Sequence, residues 1–154
     1  MSAPKLVYVT LIRTTPGELW KALTDPDFIQ QYWFGRRNTS SWKEGEVIQS
    51  YGPQGELEWD GKILKSVPGK EVVFTFHDLE TDEAPSRVSF KIEPLGGGTM
   101  PQGDAVQLTV THDDFIEDSR VLEGVSHGWP AILSSLKSLL ETGRSLDLGW
   151  KGDE

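Results

Sequence analysis

The chain lacks cysteine altogether and contains only three histidines. Without cysteine it can form neither disulfides nor thiolate metal sites, and it has no cysteine nucleophile. The histidines show neither H-x-x-x-H nor H-E-x-x-H spacing, so we expect no metal site. The G-x-S-x-G pattern of serine hydrolases occurs once, at residues 124–128, but it lies within a segment that predicts a helix and not at the strand-to-helix turn that such a nucleophile needs. We therefore expect no metal or cofactor, and no catalytic residue can be assigned.

Basic residues are scarce as well. Fifteen Lys and Arg stand against 24 Asp and Glu, for a net charge of −9. This balance argues against nucleic acids and anionic membrane surfaces as partners, since both attract clustered positive charge. The one tight basic pair, Arg36-Arg37, is expected to lie in a solvated loop.

Long apolar runs are missing too. No stretch approaches the roughly 20 residues that span a bilayer, and the N-terminus lacks the basic start and cleavage site of a signal peptide. We therefore expect a cytoplasmic protein. At 154 residues it is long enough for one domain with a real core, predicted over residues 1–143 and followed by a disordered tail, 144–154.

The N-terminal quarter predicts a strand at residues 5–13 and then two short helices. A T-x-x-E capping box begins the first helix at Thr15. Asp25, placed before a proline, begins the second helix, and Gly35 ends it. The two helices are expected to meet at an angle.

Alternation of apolar and polar residues then predicts antiparallel strands with one buried face. Turn residues separate them, including a glycine-rich hairpin loop at 95–104. A phosphate-binding role for this loop is not expected, because it does not join a strand to a helix. The predicted strands cover residues 46–51, 56–65, 70–77, 87–94 and 105–113.

A long C-terminal helix is indicated by an apolar stripe from Val121 to Leu140, with Gly143 as its stop. Pro130 predicts a kink or a separate helix start. Together these patterns predict an α+β fold, in which a curved antiparallel sheet of about six strands wraps around the long helix.

Three segments resemble the Hsp-90 ATPase activator-like family. TTPGELWKALTDPDFIQQYWFG, residues 14–35, is similar to its N-terminal signature, and HGWPAILSSLKSLLETG, 127–143, to its C-terminal helix. Between them, LTVTHDDF at 108–115 is similar to the family's last strand. The three occur in order, and the resemblance covers residues 5–143.

The resemblance implies the helix-grip fold of the START-like (SRPBCC) superfamily, with a deep apolar cavity between sheet and helix. Superfamily members bind lipids, sterols, polyketides and plant hormones, and some are cyclases. The eukaryotic namesake stimulates a chaperone ATPase and carries an additional N-terminal domain for chaperone contact, which we do not expect in a chain of this length. The resemblance therefore implies a small-molecule binding module, with a cyclase or dehydratase-like enzyme or a co-chaperone-like module as alternatives.

Large aromatic residues are the candidates for the cavity wall. Under the helix-grip interpretation the following point into the gap between sheet and helix: Trp33, Phe34, Trp59, Phe74, Phe76, Phe90 and Trp129, together with Leu133. The same residues could instead fill the core, as expected for Trp20 and Leu136. An empty void of roughly 300 Å³ would cost about 7 kcal/mol, so the gap must be filled, wet or occupied by a ligand.

A polar group is also needed to orient a ligand. His112 is the first candidate, because it is in phase with the apolar residues of its strand; a histidine bonded to a loop carbonyl is the alternative. His127, Tyr8 and Tyr51 are further candidates. We expect a hydrophobic small molecule as partner and a monomer or weak homodimer as the oligomeric state.

Overall fold

A computed structural model describes residues 4–95 and 105–146. The predicted loop at 95–104 and the predicted tail therefore lie almost entirely outside the described residues. The described chain forms these elements in order: β1 (Leu6–Ile12), α1 (Pro16–Thr24), α2 (Pro26–Tyr32), β2 (Arg37–Ser40), β3 (Val47–Tyr51), β4 (Leu57–Val67), β5 (Glu71–Asp78), β6 (Ser86–Pro94), β7 (Val106–Asp113) and α3 (Arg120–Thr142).

The strands form one curved antiparallel sheet in the order β1-β7-β6-β5-β4-β3-β2, and α3 is the long helix of the helix-grip fold. The predicted α+β architecture is confirmed. The sheet has seven described strands, one more than expected, because β2 is a short polar segment, RNTS, without apolar alternation. It is recognisable only by its pairing with β3, from Arg37 opposite Tyr51 to Ser40 opposite Ile48.

The helix starts follow the predicted caps. Thr15 Oγ1 accepts a hydrogen bond from the Glu18 N–H at 3.2 Å, and Asp25 Oδ1 accepts one from the Asp27 N–H at 2.9 Å. Asp25 also caps the C-terminus of α1, so the two helices share one residue at their junction. Gly143 ends α3 in the left-handed conformation with φ 82°, as its sequence position predicts.

The Arg36-Arg37 pair corrects the expectation of a solvated loop. Arg37 begins β2 and its guanidinium lies 2.6 Å from Asp27 Oδ1. Arg36 Nε lies 2.8 Å from Glu58 Oε1, and its side chain is only 21% exposed. Arg37 therefore joins β2 to α2, and Arg36 joins the α2–β2 corner to β4.

Helix α3 runs continuously through Pro130, so the helix does not start anew there. Pro130 is on the exposed side, while Trp129, Ile132 and Leu136 are buried against the sheet. Apolar contacts on both sides of the proline stabilise the helix despite the lost hydrogen bond.

Strands β4 and β5 approach each other closely at Gly61. A β-carbon there would lie 1.8 Å from the Thr75 carbonyl oxygen, so only glycine fits. The inner face of β5 to β7 then supplies the core with Val72, Phe74, Phe90 and Val110, all buried. In the described part of the chain, no helix combines the length and apolar character that crossing a membrane requires.

Candidate functional site

A cavity of about 160 Å³ lies between the sheet and the N-terminal half of α3. Its wall combines the end of α2, the facing ends of β4 and β5, and one side of α3. The lining residues are Trp33, Arg36, Glu58, Trp59, Phe76, Val125, Gly128, Trp129 and Ile132. Only two of these nine residues are charged and four are aromatic, so the wall is mostly apolar and its largest side chains are aromatic rings.

Three tryptophans and one phenylalanine form the aromatic wall. The Trp33 ring centroid lies 5.6 Å from that of Trp129, edge to face, and 6.4 Å from that of Trp59. Trp59 and Phe76 are 4.6 Å apart. These spacings are those of favourable aromatic pairs, so the rings support one another while each presents a surface to the cavity.

A β-bulge brings a charge to the cavity. Ser50 pairs with Trp59 and Tyr51 with Leu57, which leaves Glu58 as the extra residue on β4. A bulge of this kind re-aims side chains. As a result Glu58 lines the cavity beside Trp59, although simple alternation predicts it on the opposite, wet face.

Arg36 and Glu58 form an ion pair at the mouth, with Nε and Oε1 2.8 Å apart and both side chains about four-fifths buried. The Arg36 guanidinium also donates to the Phe34 carbonyl at 3.4 Å. Outside this pair the cavity continues into a groove of about 210 Å³. The groove is lined by Arg36, Glu58, Trp59, Phe76, Asp78 and Glu80.

His112 lies directly behind the aromatic wall and is fully buried. Trp129 Nε1 donates to its Nδ1 at 3.0 Å, so the proton sits on Nε2, which donates to Ser86 Oγ at 2.7 Å. Burial lowers the pKa of His112 to about 4, against a small opposing effect of Asp113. The ring is therefore neutral at physiological pH and fixes the orientation of Trp129. Its partners are a hydroxyl and an indole, not the loop carbonyl of the alternative interpretation.

The predicted site residues separate into two groups. Trp33, Trp59, Phe76 and Trp129 line the cavity. The others lie in or beside the core: Phe74, Phe90, His112 and Leu133 are buried, and Phe34 packs against the core in a left-handed conformation with φ 54°.

The additional polar candidates do not reach the cavity wall. His127 is exposed on α3. The Tyr8 hydroxyl donates to the Ser126 carbonyl at 3.2 Å, which joins β1 to α3, and the Tyr51 hydroxyl donates to Gln49 Oε1.

Sequence reasoning missed five lining residues: Arg36, Glu58, Val125, Gly128 and Ile132. The sequence pattern assigns Val125 and Ile132 only to the apolar stripe of α3. Neither charged residue carries a sequence signal, because one depends on an unrecognised strand and the other on a bulge. Gly128 does carry one. It lies within the apolar stripe of α3, three residues after Val125 and four before Ile132, where an apolar side chain would be expected.

Two buried polar side chains lie next to the aromatic wall in the sheet. Asn38 pairs with Ser50 across β2 and β3, and Ser50 pairs with Trp59 across β3 and β4, so the three share one face. Asn38 Oδ1 and Ser50 Oγ have no hydrogen-bond partner among the described residues. A buried polar atom without a hydrogen-bond partner costs stability, because it has lost its contact with water.

Solved structures of similar proteins have the same architecture. A Mesorhizobium loti protein is 25% identical with a TM-score of 0.72, covering 89% of this chain and 96% of that one. The Aha1 dimer of Colwellia psychrerythraea is 22% identical with a TM-score of 0.69, covering 92% and 99%. An HSP90 activator from Plasmodium falciparum is 16% identical with a TM-score of 0.64, covering 81% and 86%. The last two likenesses show the fold alone.

A search of curated protein sequences finds no match. The model of the family "Activator of Hsp90 ATPase homolog 1-like protein" matches residues 13–141, which is most of the chain and includes every residue of the cavity wall. The protein therefore belongs to the Activator of Hsp90 ATPase homolog 1-like family.

Proposed function

We propose that the protein is a binding module that holds a small apolar or aromatic molecule in the cavity between the sheet and α3. The observation that carries this proposal is the cavity itself, with its wall of three tryptophans and Phe76 and its single charged pair at the mouth. Apolar walls with few, well-placed polar groups are typical of small-molecule sites.

The volume limits the ligand. Drug-sized ligands occupy sites of roughly 300–1,000 Å³, whereas this cavity has about 160 Å³. Engineered cavities of about 150 Å³ bind benzene. The inner cavity therefore accommodates a single ring or a short alkyl group, and the remainder of a larger ligand would lie in the outer groove.

The cavity is retained at a cost in stability. At about 24 cal/mol per Å³, lost packing would amount to about 4 kcal/mol if the space were closed and dry, an upper value because it opens to solvent. Gly128 adds to this cost, since a glycine inside a helix is about 1 kcal/mol less favourable than alanine. Both the cavity and Gly128 lower the stability of the fold. Features that cost stability in this way are typical of functional sites.

Gly128 also allows the cavity to be closed by one substitution. A β-carbon at Gly128 meets nothing within 4 Å, and the same is true of the exposed Gly124 one turn earlier on α3. Gly128→Leu should therefore fill the cavity without backbone strain. Gly124→Leu is the matched control, with the same gain in helix propensity but a side chain directed to solvent.

The test titrates neutral single-ring compounds, toluene and phenol, while tryptophan fluorescence is recorded. Three of the six tryptophans line the cavity, so occupancy should change the emission. We expect saturable binding to the wild type and to Gly124→Leu, and its loss in Gly128→Leu. No saturable change with any compound, or equal binding by both variants, would refute the proposal.

An enzyme of the cyclase or dehydratase type is favoured less. Such a reaction needs an acid or base that faces the substrate. Among the described lining residues the ionisable ones are Arg36 and Glu58, which pair with each other, while His112 is held behind Trp129 by two hydrogen bonds. The geometry supports holding a ligand more directly than transforming it.

Protein contact is a second candidate function, favoured by one observation. Val7, Val9 and Leu11 on the outer side of the edge strand β1 are each at least half exposed. A row of this kind suits a weak homodimer or a chaperone contact. Val9→Glu should lower the dimer fraction in light scattering or abolish stimulation of purified Hsp90 ATPase. A monomeric, non-stimulating wild type would rule this candidate out.

A further inference from the structure

The outer groove differs from the inner cavity in its charge. Of the six residues that line it, Glu58, Asp78 and Glu80 are acidic and Arg36 is the one base. Arg36 is engaged by Glu58 at 2.8 Å. The carboxylates of Asp78 and Glu80 therefore leave the groove with a negative charge, which the net charge of −9 on the whole chain reinforces.

A further base, Arg120, contacts the turn that follows β5 but does not change that balance. Arg120 donates to the Thr81 carbonyl at 3.3 Å and its charge acts on Glu83, beyond the residues that line the groove. The Asp78 carboxylate accepts the Glu80 N–H at 3.0 Å, which holds these two residues in one turn at the groove edge.

The aromatic wall favours the same sign of charge. The faces of indole and phenyl rings carry partial negative charge and attract ammonium groups placed within about 6 Å of the ring centre. Trp59 and Phe76 line both the inner cavity and the outer groove. A cation in the outer groove, on the side away from Arg36, would therefore meet the rings of Trp59 and Phe76 on one side and the carboxylates of Asp78 and Glu80 on the other.

From this arrangement we propose that the ligand is a small organic amine, with its apolar body in the inner cavity and its ammonium group in the acidic outer groove. The inference rests on the proposed binding function and adds the ligand's charge to it. A carboxylate ligand fits poorly, because it would have to displace Glu58 from Arg36 and would lie against Asp78 and Glu80.

Three compounds of similar size separate the possibilities: phenethylamine, phenethyl alcohol and phenylacetate. They share one phenyl ring and a short chain and differ in charge. Titration against tryptophan fluorescence should give the tightest binding for the amine, weaker binding for the alcohol and the weakest for the carboxylate. Raising the salt concentration should weaken only the amine.

Variants of the groove residues test whether Asp78 and Glu80 cause the preference for the amine. The double variant Asp78→Asn with Glu80→Gln keeps the acceptor for the Glu80 N–H and should lower the affinity for the amine about three- to tenfold, with the alcohol unchanged. The control, Glu44→Gln with Glu46→Gln, makes the same change in net charge at two exposed residues outside the groove. It should leave all three affinities as they are.

The outcomes separate this inference from the function on which it rests. If the alcohol or the carboxylate binds as tightly as the amine, or if the control variant weakens the amine equally, the charge assignment is wrong while the binding module stands. If none of the three compounds binds the wild type, both proposals fail.

Discussion

Phe74 and Phe76 lie two residues apart on β5, on the same face of the sheet, yet they have different surroundings. Phe74 is 1% exposed, stacks on Trp59 with ring centroids 5.8 Å apart, and packs edge to face on Phe90. Phe76 is half-buried and lines the cavity. The gap between sheet and helix is therefore filled on one side of Trp59 and hollow on the other.

The difference teaches that aromatic content does not determine whether a core is solid. Both regions use large rings at contact distance. The hollow region adds a glycine on the facing helix, Gly128, and a bulge that places Glu58 at the cavity mouth. A glycine on the helix and a bulge in the sheet thus determine where the rings leave space between them.

The two phenylalanines provide the largest expected effect. Phe74→Ala removes a buried ring from a filled core and should lower the free energy of unfolding by about 3–5 kcal/mol. Phe76→Ala removes a half-buried ring next to existing space, so we expect a loss of at most about 2 kcal/mol. Urea denaturation of the two variants measures both values. If Phe76→Ala lost more stability than Phe74→Ala, the distinction between filled and hollow regions would be wrong.

The effects of the two substitutions on ligand affinity should have the opposite order. Titration of phenethyl alcohol at a temperature where both variants are folded should show weaker binding for Phe76→Ala and a smaller change for Phe74→Ala.

His112 lies where the two regions meet, and its pKa predicts a pH dependence. Its folded-state pKa is lowered by burial to about 4, from an ordinary value of 6.5. Above pH 6.5 the ring is neutral in both states. As the pH falls from 6.5 towards 4, the unfolded chain takes up a proton that the folded chain does not, so stability is lost across this window, by up to about 3 kcal/mol.

The measurement is the urea midpoint at pH 7, 6 and 5. His112→Asn keeps an acceptor for the Trp129 indole but does not titrate, so its midpoint should vary less over this range than that of the wild type. His127→Asn, at an exposed position, should retain the wild-type slope. Equal slopes for the wild type and His112→Asn would show that His112 is not the group responsible.

Much of the fold is predictable from local signals. The caps at Thr15 and Asp25, the alternation of β5 to β7 and the stripe of α3 each arise from contacts within one element, and all are found in the structure. Strand β2 could not be predicted, because RNTS has no buried face of its own and depends on pairing with β3.

The site was less accessible to sequence reasoning for the same physical reason. Periodicity predicts that Trp59, Phe76 and Trp129 point inward, but it does not distinguish a filled interior from a cavity. Whether an inward ring meets another ring, as Phe74 does, or open space depends on the residue that faces it across the gap. The interior glycine at position 128 is the one local signal that indicates space.

The smallest predicted effect concerns that glycine. Alanine adds a single methyl group and relieves the helix cost of glycine, so Gly128→Ala and Gly124→Ala should each raise the free energy of unfolding by about 1 kcal/mol. The methyl group at position 128 also enters the cavity, whereas that at position 124 lies in solvent. We expect equal gains in stability in urea denaturation, and weaker binding of phenethyl alcohol only for Gly128→Ala. This result would show that the cavity depends on Gly128 and that the glycine is not retained for stability. A loss of stability in Gly128→Ala alone would mean that the space is too small to admit even a methyl group, and the contrast between the two phenylalanines would then need a different cause.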